Sequence, residues 1–310
     1  MIESYLSAMN GLVGILINLI QDNSLMGIDV GIRGMDFDSL VHGITTMISV
    51  RLGSDCYHGS GFYYHQYAEK PVKVEGKMKV VELNEIWLIT NRHVILSQEF
   101  ERVPDELNFK FRRITNNSSF VWEDMKINYD DLLERTRIPP DKMYDVAAIR
   151  ILDLLVDRLK VAPENVTYMT PFGVNKNHLP ENGPIRPEVG DEVLIIGYPH
   201  GNYDRVNLYP IVKLGIISSG WGLRFDGFPY FAVDSRLYHG SSGSLVISKP
   251  KEVVVIDGVP KYSPKKNFQF LGVYSEPLPR GIDIHVGLVW YSNLIEKVVN
   301  HGVKIDPKTL

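Results

Sequence analysis

A mostly β fold with a helix at each end is predicted by three observations. From about Val41 onward, short runs of β-branched and aromatic residues alternate with Gly, Pro, Asn and Asp, the signature of many short strands in a sandwich or barrel. Apolar residues at helical spacing occur only near the two termini. No internal repeat or low-complexity tract suggests a solenoid or a disordered chain.

The elements follow in order. Ile2, Tyr5, Leu6, Met9, Val13, Leu16, Ile17 and Ile20 form one helical stripe within an N-terminal extension, residues 1–40. Ser4 to Gln21 carries no charge, but its Ser, Asn and Gln residues are costly in lipid. No Lys or Arg precedes it and no small-residue cleavage site follows, so it reads poorly as a signal peptide or a membrane span. The expectation is a helix packed on this protein, on a partner or on a second copy. Asp22–Asp38 is rich in Gly and Asp and reads as a connector. Strands are expected at Thr45–Leu52, Gly61–His65, Lys79–Thr90, Leu107–Arg113 and Val146–Ile151, then at Glu192–Tyr198, Pro210–Ser218, Phe231–Asp234, Ser244–Ser248, Phe268–Val273 and Ile284–Val289. Asn128–Lys142 is more polar and reads as a loop with a helical turn. Five prolines between Pro163 and Pro187 mark a crossover between two halves. Asn293-x-x-Glu296 resembles a capping box opening a last helix, with Leu294, Ile295, Val298 and Val299 on one face and Gly302 as its stop.

The composition bounds the function. With 310 residues, 44% of them hydrophobic and 23% charged, the chain is an ordinary globular one with room for a sizeable core. A net charge of −4 makes it a poor general nucleic-acid binder. Cys56 is the single cysteine, so no intramolecular disulfide or Cys-based zinc cluster forms; this fits a reducing compartment, and a cytoplasmic location is expected. No two-His-plus-carboxylate motif or phosphate-loop glycine pattern is present, so no metal or organic cofactor is expected.

Three segments carry chemistry. In Trp87-Leu-Ile-Thr-Asn-Arg-His93 a histidine sits just past an apolar strand. In Tyr144-Asp145-Val-Ala-Ala-Ile an aspartate opens another. His239-Gly240-Ser241-Ser242-Gly243-Ser244 is a Gly/Ser turn between strands. Singly, each has a plainer reading: a satisfied histidine, a strand-edge charge, a loop. Together they hold what acyl transfer needs. A serine hydroxyl is a weak nucleophile until a base takes its proton. Histidine titrates near working pH, and a carboxylate holds its tautomer and steadies the imidazolium. Glycines let backbone N–H groups turn toward a developing oxyanion.

The order His, Asp, Ser resembles the trypsin-like (chymotrypsin-fold) serine proteases, HtrA-type bacterial protease domains above all. His58-Gly59-Ser60-Gly61-Phe62 resembles their first-barrel strand, and Thr90-Asn91-Arg92-His93-Val94 the block carrying the base. Asp145-Val146-Ala147-Ala148-Ile149 resembles the aspartate block. Val189-Gly-Asp-Glu-Val-Leu-Ile-Ile-Gly-Tyr-Pro-His-Gly201 and Lys213-Leu-Gly-Ile-Ile-Ser-Ser219 resemble strands of the second barrel, Gly240–Ser244 the nucleophile turn, and Leu271-Gly272-Val273 the strand after it. The blocks occur in the family's order, with Asp145 52 residues after His93 and Ser242 97 after Asp145. Leu245 stands where the family often has proline. Eight residues follow Gly302, too few for a PDZ domain, which puts HtrA-style regulation in doubt. Polar inserts between His93 and Asp145 are expected to shape or cover the cleft.

The resemblance implies two six-stranded antiparallel β-barrels, with residues 41–165 forming the first and 166–310 the second together with the C-terminal helix. It implies a serine endopeptidase acting on protein or peptide substrates through an acyl-enzyme, with Ser242 as nucleophile, His93 as base and Asp145 as orienter. The oxyanion donors would be the backbone N–H groups of Gly240 and Ser242. Two other readings stay open: a catalytically silent peptide-binding module, and an esterase or acyl transferase using the same triad. Arg236, Tyr274 and Ser275 are the candidate substrate-binding residues. Arg236 either neutralises an acidic substrate side chain, pairs with Glu276, or faces solvent. Tyr274 stands near where glutamyl endopeptidases carry a pocket histidine.

Overall fold

The computed structural model describes residues 37–308 apart from 68–71, 75–77, 81–82, 97–101, 116–119, 162–165, 169–171, 257–258 and 279–284. The N-terminal stripe and most of the extension therefore lie outside the described residues. In the first half the strands are β1 (Thr45–Leu52), β2 (Asp55–Tyr67), β3 (Val72–Val74), β4 (Met78–Val80), β5 (Leu83–Thr90), β6 (Glu106–Thr115), β7 (Phe120–Asn128), β8 (Thr136–Ile138), β9 (Ala147–Arg150), β10 (Val166–Tyr168) and β11 (Val174–Asn175). The second half has β12 (Glu192–Gly197), β13 (Ile211–Ile217), β14 (Tyr230–Asp234), β15 (Leu245–Ser248), β16 (Lys251–Ile256), β17 (Val259–Asn267), β18 (Phe270–Pro277), β19 (Val286–Tyr291) and β20 (Val303–Lys304). The α-helices are α1 (Phe37–Ile44), α2 (Arg92–Ile95), α3 (Tyr129–Arg135), α4 (Leu152–Val161) and α5 (Asn293–His301).

The second half closes as expected, into a six-stranded antiparallel barrel of order β12-β13-β14-β19-β18-β15. The first half differs from the expected barrel. It is a ten-stranded sheet running β10-β6-β1-β2-β5-β9-β8-β20, with β7 on β6 and β11 on β2. Among the described residues no pairing joins the two ends of this sheet. Along its length β6 is bonded to β7, and β1 and β10 take its other edge at Glu106–Phe109 and Ile114–Thr115. At the far end β8 pairs with both β9 and β20.

Three strands, β6, β7 and β8, lie between His93 and Asp145, where polar inserts are expected around the predicted strand Leu107–Arg113. In β7 exposed Asp124, Lys126 and Asn128 alternate with buried Met125 and Ile127, a period-2 pattern with one polar face. The polar segment after it forms α3, capped by the Asn128 side chain accepting from the Asp131 N–H, and the short β8.

Buried side chains alternate between cores, which is why the central strands read as continuous apolar runs. On β2, Phe62 and Tyr64 face the seam between the two halves while Tyr63 faces the first-half core. On β15, Leu245 and Ile247 face the seam and Val246 the barrel interior. The seam is sealed by Phe62 against Phe270, ring centroids 5.2 Å apart, and covered by α1 and α5 through Leu40, Val41, Leu294, Ile295 and Val298. The N-cap of α5 is Ser292, not Asn293, and no side chain caps it. Glu296 instead meets the Tyr64 hydroxyl. The helix stops before Gly302, whose φ is an ordinary −64°. Glycine is needed there for space, since a Cβ would sit 2.4 Å from the Val298 carbonyl oxygen.

Candidate active site

The antiparallel register of β5 and β9 pairs Thr90 with Ala147. Both strands end at the same rim, so the segment after Thr90 faces the segment before Ala147. Asn91 and Arg92 fasten the two. Buried Asn91 donates through Nδ2 to the Asp145 carbonyl at 2.7 Å, and Arg92 donates to the Lys142 carbonyl at 3.0 Å. Val94 and Ile95 are buried and anchor the single turn of α2. His93 is thereby held against Asp145 by two bonds: its backbone N–H donates to Oδ1 at 2.9 Å, and Nδ1 lies 2.7 Å from Oδ2. Each side chain is 21% exposed. Burial opposes charge on the imidazole, but the Asp145 carboxylate and, beyond it, Glu276 outweigh it and hold the ring above its usual pKa. Asp141, four residues before Asp145, accepts the Met143 N–H at 3.0 Å.

A third group reaches Asp145 from the second barrel. The Ser275 hydroxyl, on β18, donates to Oδ2 at 2.6 Å. Asp145 thus accepts from a backbone N–H, a ring nitrogen and a hydroxyl.

Ser242 sits in the turn before β15. Gly240 and Gly243 have φ of +82° and +84°, the region where glycine is favoured. A Cβ on Gly243 would lie 2.0 Å from the Ser60 carbonyl oxygen, and one on Gly240 2.7 Å from the His200 nitrogen. The turn is stitched to both halves. The Ser60 N–H donates to the Ser242 carbonyl at 2.8 Å, and the Gly243 N–H donates to the Tyr274 carbonyl at 2.9 Å. The buried Ser60 hydroxyl donates to the Gly240 carbonyl and accepts from the Tyr198 N–H, both at 2.8 Å. Thr90 Oγ1 donates to the Ser60 carbonyl at 2.8 Å. Ser60 therefore ties the Gly240–Gly243 turn to the strand that leads to His93, a role that the sequence pattern around Gly59 and Gly61 did not disclose. The N–H groups of Ser241, Gly243 and Ser244 find backbone acceptors; among the described residues those of Gly240 and Ser242 find none.

Ser242 Oγ donates to the Ser275 carbonyl at 2.9 Å, and among the described residues no hydrogen bond joins it to His93. The structure thus brings His93, Asp145, Ser242 and Ser275 to one rim, in a chain of contacts running through Ser275. Tyr274 is 1% exposed, its ring inside the barrel core and its hydroxyl without a hydrogen-bond partner. Gly287 makes room for that ring, since a Cβ there would stand 2.4 Å from it. Arg236 is exposed, with its guanidinium 5.5 Å from the Tyr238 ring.

A sequence model described as a trypsin-like peptidase domain matches residues 59–256, well over half of the chain and the whole of the segment from Gly59 through Ser242. Among curated proteins, none matches. The chain is similar to solved structures of proteases. One is the active form of the Rv3671c protease from M. tuberculosis, 13% identical, with 87% of this chain and 85% of that one covered and a TM-score of 0.43. A serine endoprotease from Yersinia pestis is 17% identical over 86% of this chain and 66% of that one, with a TM-score of 0.43. The catalytically active tobacco etch virus protease complexed with product is 11% identical over 90% and 83%, with a TM-score of 0.45. On the match across residues 59–256, the chain belongs to the trypsin-like peptidase domain family.

Proposed function

We propose that this chain is a serine endopeptidase in which Ser242 attacks the peptide carbonyl, His93 takes and later returns the proton, and Asp145 holds the imidazole. The observation that carries the reading is the two-bond clasp of His93 by Asp145 beside the Gly240–Gly243 turn. A carboxylate at Nδ1 fixes that nitrogen as the donor, so Nε2 carries the lone pair that a general base needs. The N–H groups of Gly240 and Ser242 suit a developing oxyanion, where losing one such donor costs roughly 10²–10³-fold in rate. For attack, Ser242 Oγ leaves the Ser275 carbonyl by a rotation about its Cα–Cβ bond and turns to Nε2. Catalytic hydrogen bonds commonly tighten only when substrate is bound.

A second reading, a peptide-binding module without turnover, draws on that same Ser242–Ser275 bond, which leaves the hydroxyl unactivated. A fluorophosphonate probe separates the two. Labelling of the wild type and not of Ser242→Ala, together with cleavage of a proteome-derived peptide library, supports the peptidase. An unlabelled wild type supports the module.

A further inference from the structure

Glu276 follows Ser275 at the open end of β18, and neither the clasp nor the oxyanion donors use it. Upstream, β18 is held on one side by β15, whose register with it starts at Leu245–Val273. The next contacts on that side are made by the nucleophile turn itself, through Tyr274 with Gly243 and Ser244 and through Ser275 with Ser242. Beyond Ser275 the strand has left β15 and runs out beside the reactive hydroxyl, where Glu276 and Pro277 are exposed. An extended peptide lying along such an edge presents its side chains to the residues there.

The charge at this point is one-sided. Asp145 is already committed to His93 and Ser275, whereas Glu276 has no ion pair or hydrogen bond among the described residues. Its carboxyl lies close enough to both Asp145 and His93 to feel their charges. Burial first and the Asp145 charge second raise its pKa, against the opposing pull of His93. Arg236, the basic group sequence analysis placed near the pocket, stacks on Tyr238 instead. Two carboxylates, Glu276 without a partner among the described residues and Asp145 already committed, face one imidazole at this rim, and a cationic side chain from a substrate relieves their mutual repulsion.

Resting on the peptidase reading, we propose that Glu276 is a specificity-determining residue that selects peptides with a lysine or arginine flanking the scissile bond. The contact is a charge-assisted hydrogen bond from the substrate's ammonium or guanidinium to the Glu276 carboxylate.

The test uses the full chain and a peptide library in which each of the three positions on either side of the cleaved bond is, in turn, lysine or norleucine, a neutral side chain of similar length. At one position lysine is expected to raise kcat/KM about tenfold over norleucine, the scale of a hydrogen bond to a charged group. In Glu276→Gln that ratio falls to near one, and Glu276→Lys reverses it in favour of a glutamate at the same position. The same ratios are measured as binding affinities to Ser242→Ala, with and without Glu276→Gln, so the outcome does not depend on turnover. Wild-type protein that takes the fluorophosphonate label but shows equal lysine-to-norleucine ratios with and without Glu276 overturns the proposal and leaves the peptidase reading standing. An unlabelled, inactive wild type overturns the peptidase reading. The binding ratios then judge Glu276 alone, and equal ratios there overturn its role as well.

Discussion

Replacing Asp145 by asparagine tests the clasp at its most informative point. The two oxygens are not equivalent. Oδ1 faces a backbone N–H, while Oδ2 faces the Nδ1 ring nitrogen and the Ser275 hydroxyl. An amide must put its NH₂ on one side. The His93 backbone N–H cannot change its role, so NH₂ opposite it is a donor–donor clash. Opposite Oδ2 both partners can yield, because the hydroxyl rotates and the imidazole moves its proton to Nε2. The introduced amide therefore settles with NH₂ toward the ring and presents His93 to Ser242 as a donor instead of a base. The imidazolium formed during attack also loses its counter-charge. A unit charge about 3.5 Å away at an effective dielectric near 20 is worth about 4–5 kcal/mol, or roughly 10³–10⁴-fold in rate. The same substitution in Ser-His-Asp hydrolases costs about 10⁴-fold. The assay is kcat and KM against pH. We expect kcat to fall by that factor with KM little changed. The acid limb moves to lower pH, because burial then acts on His93 without the Asp145 carboxylate to offset it. A kcat within a few-fold of wild type, or an acid limb that moves up, refutes the reasoning.

Two further predictions concern the scaffold. Ser60→Ala strips both the Gly240 carbonyl and the Tyr198 N–H of their buried partner; at about 1–3 kcal/mol per unsatisfied group, a loss of roughly 2–4 kcal/mol in urea unfolding is expected, with slower fluorophosphonate labelling, and an unchanged midpoint would show that the staple carries no energy. Glu85 has its carboxyl raised from 4.5 to about 7, chiefly by burial, against the opposing Ile86 and Leu152 N–H groups and Arg150. A carboxyl with a raised folded pKa costs no stability below about 4.5, loses it progressively up to about 7, and carries the full penalty above, at most about 3 kcal/mol. A glutamine amide keeps an oxygen for both N–H groups, so Glu85→Gln should flatten the fall of Tm between pH 5 and pH 8; parallel Tm–pH curves for the two proteins would refute the assignment.

The amino-acid sequence by itself determined the central strands of both halves and the three chemical segments, but not β7, β8, β16 or β17. Runs such as Ile86–Ile89 and Leu245–Ile247 are apolar on successive residues because both faces are buried, and that leaves a local trace. So do the glycines at 240 and 243, whose positive φ only an unbranched backbone tolerates cheaply. Local pattern was silent, or misleading, wherever the deciding contact is distant along the chain. Asn293 looked like a cap, yet Ser292 occupies that place and Glu296 was drawn to Tyr64, 232 residues away. Among the described residues the first sheet stays open, with β7 on the edge of β6 and β20 on the edge of β8. Ser60 is one serine among many, and the sequence singles out Ser275 only as a substrate-binding residue. One became the staple of the nucleophile turn, the other the third partner of Asp145, 130 residues from it in sequence. A hydroxyl donates and accepts wherever the fold brings it, so its role belongs to the tertiary structure, which also decided that Ser242 rests on the Ser275 carbonyl and that Arg236 lies on Tyr238.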